Sequence, residues 1–145
     1  MTTTLVVGLD GEGSGERALN YAMKMAKLIG DCSLLVVYVV EWSPFSFQTQ
    51  EENAARHKRR EEEIAVAMER VINPALAALK ENGIKAEGKV RHGDVADTLN
   101  SVAEKAGATQ IIVARSSEGG FTKRIFGSST SNLVMDATVP VTVIA

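Results

Sequence analysis

Four short runs of consecutive apolar, largely β-branched residues constrain the fold of this chain more than any other feature: Leu5-Val6-Val7-Gly8-Leu9, Ser33 to Val40, Ile111-Ile112-Val113-Ala114 and Val139 to Ile144. A strand with one wet face alternates apolar and polar residues, so an unbroken apolar run implies cover on both faces, as in a parallel sheet flanked by helices. Segments of helical period separate the runs. Ala18, Ala22, Met25, Ala26 and Ile29 mark a helix from Ser14 to Ile29, with Gly30-Asp31 as its stop. Glu51 to Asn82 has Ile64, Met68, Val71 and Ile72 on one helical face, and Asn73-Pro74 predicts a kink or break, with Asn73 capping a fresh start. Ile84, Ala86, Gly88 and Val90 alternate with Lys85, Glu87, Lys89 and Arg91, the pattern of an edge strand, and His92-Gly93 is expected to turn. Asp94 then caps a helix with core face Val95, Leu99, Val102 and Ala106, which Gly107 ends. A short helix from Gly127 to Ala137 precedes the last run, where Pro140 is tolerable near a strand start or on an edge.

The alternation β-α-β-α-β-α-β-α-β predicts an α/β fold: a three-layer, doubly wound, Rossmann-like sheet of five parallel strands. Ligands bind such sheets beyond the carboxyl ends of the strands where the winding reverses, here between Asp10 and Arg115 if the first and fourth strands are neighbours. A second argument points to the same place. Ile111 to Ala114 runs into Arg115-Ser116-Ser117 and, nine residues on, into Gly127-Ser128-Ser129-Thr130, a small-residue helix start. The first backbone N–H groups of a helix lack intrahelical partners and carry partial positive charge, which suits a phosphate.

The length of 145 residues and the 45% hydrophobic content fit one domain spanning 1–145 with a single core. Cys32 has no second cysteine to pair with, so a buried filler in a reducing, cytoplasmic setting is expected. Met1 to Thr4 carry no positive n-region and no apolar run nears the length of a membrane span, so neither a targeting segment nor a membrane partner is expected. A net charge of −2 argues against general nucleic-acid binding, which rests on clustered Lys and Arg.

Several apparent motifs dissolve on inspection. Gly13-Ser14-Gly15-Glu16-Arg17-Ala18 matches a dinucleotide fingerprint in form, but Asp10 and Glu12 flank it and would repel a pyrophosphate. Arg56 to Arg60 are flanked by the acids of the Glu51 to Glu63 segment, and mixed signs at helical spacing make a solvated face rather than a basic patch. His57 and His92 lack partners at zinc-ligand spacing, so no metal site is expected. Trp42, Phe45 and Phe47 cluster in the loop after the second run, as a cover for the sheet edge or as a lid or partner contact. No catalytic set emerges, and Asp10 is the one group placed to orient a water.

Leu5 to Asp10, Val37-Tyr38-Val39-Val40, Gly93-Asp94-Val95 and the stretch from Gly127-Ser128 to Pro140-Val141 together make the chain resemble the universal stress protein family over essentially its whole length. The nucleotide-binding branch of that family carries Gly, two residues, Gly, nine residues, then Gly and Ser or Thr. Those positions are Ala114, Ser117, Gly127 and Ser128 here, so two of the three glycines are replaced, with Gly119-Gly120 nearby. The resemblance implies the strand order 3-2-1-4-5 and ATP or AMP as ligand, with any ATP turnover slow. Gly8 and Asp10 would lie by the ribose and phosphates, Val39 would offer backbone groups to adenine, and Val113 would pack nearby. Ala114, Arg115, Ser117, Gly127, Ser128 and Ser129 would surround the phosphates, with Lys123 and Arg124 adding charge and magnesium or manganese arriving with the nucleotide. The resemblance also implies a homodimer through Val139 to Ile144, whose open edge invites a second copy. Two functions follow: a nucleotide-binding stress-response regulator, or an interaction module without nucleotide that acts through protein partners. The Cβ of Ser117 divides them, because a side chain inside the turn can block the phosphate path.

Overall fold

The computed structural model describes residues 2–11, 13–41, 50–115 and 128–145. The Trp42, Phe45 and Phe47 cluster, Ser116, Ser117, Gly119, Gly120, Lys123, Arg124 and Gly127 lie outside the described residues.

The apolar runs become parallel strands because both of their faces are covered. In β1 (Thr3–Leu9), Leu5, Val6 and Val7 are fully buried, with Leu5 and Val7 in one layer and Val6 in the other. β2 (Cys32–Glu41), β3 (Lys85–Gly93), β4 (Gln110–Ala114) and β5 (Val141–Ile144) complete a sheet of order β3-β2-β1-β4-β5, with every pairing parallel. This is the order expected from the sequence. Pro140 lies just before β5, and its carbonyl accepts the Ile111 N–H at 2.9 Å, so its missing donor is not needed there.

One layer of helices holds α1 (Gly13–Ile29), α2 (Gln50–Ala67) and α3 (Asn73–Glu81), packed over Leu5, Val7, Leu34, Val36 and Ile112. The other holds α4 (Val95–Ala106) and α5 (Ser128–Asp136) over Val6, Leu35, Val37, Ile111 and Val113. α4 has the ends its sequence announces: Asp94 Oδ2 accepts the Asp97 N–H at 3.0 Å, and Gly107 takes a left-handed φ of 65°. Cys32 is buried, and burial first, then the charge of Asp31, pushes its thiol pKa up.

Two expectations need correction. Asn73 does not cap a new helix; it has helical φ and ψ, and a π turn, Met68–Ile72, joins α2 to α3 without a break. Pro74 has no N–H to offer the Arg70 carbonyl, and the chain responds by widening one turn, the Asn73 N–H reaching back to Met68 O. His92 and Gly93 are not a turn but the end of β3, because pairing with β2 continues through Val40↔His92 and Glu41↔Gly93. The π turn is pinned to the sheet by Ile72, fully buried over Gly88; a Cβ on Gly88 would lie 2.1 Å from Ile72 Cγ2. On the outer face of α2, His57 and Glu61 pair at 3.0 Å with both side chains largely exposed, as a solvated charged face should.

Candidate functional site

β1 lies between β2 and β4, and the helices after β1 and β2 cover one face while those after β3 and β4 cover the other. The winding therefore reverses at the β1/β4 boundary. The ladder registers show an opening there. β1 and β4 pair at Leu5↔Gln110, Val6↔Ile111 and Val7↔Ile112, although β1 stays paired to β2 as far as Leu9↔Tyr38 and β4 to β5 as far as Ala114↔Ile144. The last two residues of β1 and β4 belong to separate halves of the sheet, so the sheet divides at its carboxyl end.

Gly8 lies at the base of this division. A Cβ there would sit 3.0 Å from both Leu99 Cδ1 and Val113 Cγ1, so glycine lets α4 and β4 close beneath the crevice. Val113 is buried, and its role at this depth is packing. Asp10 follows β1, and its Oδ1 accepts the Gly15 N–H at 3.1 Å, satisfying one of the orphan donors in the first turn of α1. From the next turn of α1, Arg17 Nη2 donates to the Arg115 carbonyl at 2.5 Å, and the Arg115 N–H donates to Ile144 O at 3.0 Å. Arg17 thus links the β1 side of the crevice to the β4 side. Val39 is buried one residue past the last β1–β2 pair, so its backbone on that side lies beyond the ladder.

Of the expected site residues, Gly8, Asp10, Val113, Ala114 and Arg115 are brought to the crevice by β1 and β4, and Val39 borders it from β2. Ser128 opens α5 and Ser129 is half-buried in its first turn, while Ser117 and Gly127 lie outside the described residues. Arg17 escaped the sequence reading. It lies in the segment dismissed as a false fingerprint, and its partner is 98 positions away; the available signal was a cation one turn into the helix after the first strand. Among the described residues no group of three or more His, Cys, Asp or Glu is placed to hold a metal ion. None of the described helices is long and apolar enough to cross a membrane.

The family model described as "Universal stress protein family" matches residues 1–145. No curated protein matches the chain. Solved structures do. Universal stress protein UspA from Lactobacillus plantarum has a TM-score of 0.81 at 19% identity, over 99% of this chain and 97% of its own. A universal stress protein in complex with cAMP has a TM-score of 0.66 at 22% identity, over 99% of this chain and 96% of its own. The universal stress protein from Archaeoglobus fulgidus in complex with dAMP has a TM-score of 0.59 at 18% identity, over 100% of this chain and 98% of its own. At these identities the likeness is one of fold.

Proposed function

The chain belongs to the universal stress protein family, and from that premise we propose that it binds an adenine nucleotide, ATP or AMP, at the β1/β4 crevice and regulates a stress response through its bound state. The observation that carries this reading is the division of the sheet beyond Val7↔Ile112, at the place where the winding reverses. Two solved relatives of the same fold hold cAMP and dAMP, both adenine nucleotides. In this reading Gly8 and Asp10 line the ribose side and the Val39 backbone meets adenine. Val113, Ala114, Arg115 and Ser117 lead to the phosphates, which Gly127, Ser128 and Ser129 receive at the N-terminus of α5. The Asp10 carboxylate already accepts a backbone N–H, so magnesium or manganese comes with the nucleotide rather than with a protein ligand set.

The working form in this reading is a cytoplasmic homodimer joined through Val139 to Ile144. β5 is an outer strand of the sheet with half-buried residues throughout, and Val134 and Met135 of neighbouring α5 are exposed. Val141→Lys is expected to give a monomer on size-exclusion chromatography; an unchanged dimer rejects this interface.

Isothermal titration calorimetry with ATP and AMP in magnesium buffer tests the nucleotide reading. The expected result is micromolar binding that Gly127→Asp abolishes by placing a carboxylate against the phosphates. No binding by the unmodified protein would mean that Ala114 and Ser117 close the crevice. The chain would then act as an interaction module through protein partners.

A further inference from the structure

On the opposite side of α1 from β4, a cleft of about 660 Å³ separates α1 from the π turn and α3, within the size range of sites for small organic ligands. Its lining runs from Leu9, Gly11 and Gly15 at the β1–α1 turn to Leu19 and Met23 of α1, with Val71 and Ala78 from across the gap. Its two charged groups have opposite sign and stand on opposite walls: Glu16 on α1 and Arg70 on the π turn. Both side chains are exposed, and among the described residues neither makes a hydrogen bond or ion pair with the other or with any third group. Arg70 is the residue whose carbonyl Pro74 deprives of its helical donor. The widened turn places Arg70 and Val71 where they also line a second cavity, of about 370 Å³, against Tyr38 and Val40. Ile72, locked over Gly88, holds that turn against the sheet.

We propose that this cleft, whose upper end meets the β1–α1 turn beside the β1/β4 crevice, is a second ligand site, which takes a small zwitterion with an apolar body, of the class of an apolar dipeptide. Arg70 receives the carboxylate, Glu16 the ammonium, and the apolar side chains lie against Leu19, Met23, Val71 and Ala78. Ends of opposite charge held apart by an apolar middle match the walls and the lining together. A simple anion leaves Glu16 unanswered, and a simple cation leaves Arg70 so.

The test titrates L-leucyl-L-leucine into the 15N-labelled protein and follows amide resonances by NMR. The expected result is saturable shifts in residues 16–23 and 70–78. N-acetylation of the dipeptide and amidation of its carboxylate are each expected to weaken binding about tenfold, as are Glu16→Gln and Arg70→Gln. The pairing is specific: the N-acetyl dipeptide binds unmodified protein and Glu16→Gln equally, and the dipeptide amide binds unmodified protein and Arg70→Gln equally. Ala78→Met, which fills the cleft, abolishes the shifts. Saturating AMP leaves the dipeptide affinity unchanged, so the result does not depend on the nucleotide reading. Absence of shifts at millimolar dipeptide overturns the proposal, and so does equal binding of the capped forms or displacement by AMP.

Discussion

The two faces of the sheet are built to different standards. Among the described residues, the face under α4 and α5 is tightly packed: Leu99 and Leu133 are almost wholly buried, and α4 is fixed at both ends by Asp94 and Gly107. Thr138, just before β5, is tied to α4 by its N–H to Asn100 Oδ1 at 2.9 Å and by its hydroxyl, which faces Asn100 and Glu104. The face under α1, α2 and α3 is sealed at its lower end, where Cys32 is buried, and opens into two cavities at the carboxyl ends of the strands. The difference teaches where this fold keeps rigidity and where it keeps space. A firm layer holds β4 and β5 as one wall of the crevice, while the looser layer surrounds the turn between β1 and α1.

The comparison breaks most visibly in paired truncations. Leu99→Ala on the tightly packed face is expected to cost about 3 kcal/mol, because a buried leucine there leaves a cavity that its neighbours cannot fill. Leu19→Ala on the open face is expected to cost about half as much, since Leu19 already borders the large cleft. Urea unfolding curves for the two variants measure this, and equal losses would mean that both faces are equally tight.

A methyl group at position 88 has a smaller effect of the opposite kind. Gly88→Ala presses on Ile72 and is expected to cost about 2 kcal/mol by overpacking. Adding Ile72→Ala relieves the clash, so the double variant should lose less than the sum of the singles by about 1 kcal/mol, as a double-mutant cycle would show. Strict additivity would mean that the π turn does not bear on β3.

Thr138→Val is smaller again. It removes the hydroxyl and keeps the shape, so a loss of about 1 kcal/mol or less is expected in thermal unfolding. Finally, the raised thiol pKa and burial of Cys32 leave little thiolate, so iodoacetamide at pH 8 should modify the native protein far more slowly than the urea-unfolded chain. Equal rates would extend the looseness of that layer to its sealed end.

The elements written locally were legible in the sequence. Leu5 to Val7 announced a strand buried on both faces, and Asp94 and Gly107 announced the ends of α4, because a few adjacent residues carry the physics of each. The layered parallel sheet followed from alternation and handedness, and its strand order from the family resemblance. What stayed hidden depends on partners far away in sequence. Pro74 reads as a kink or a break when taken alone; Ile72 over Gly88 holds the helix to the sheet, so the chain widens its turn rather than separating. The candidate site was legible as a place, since topology fixes where β1 and β4 diverge. Its link from Arg17 to Arg115 was not, because no local pattern specifies a contact across 98 positions.

The position of β1 also sets a timetable. Its pairing with β2 joins residues about 30 positions apart, whereas β4, on its other side, follows more than 100 positions later. At translation speeds of about 5–20 residues per second, the β4-facing edge of β1 waits several seconds for its partner. During that interval the nascent chain shows an unpaired apolar edge at Leu5 to Val7, a template for wrong pairing until β4 arrives.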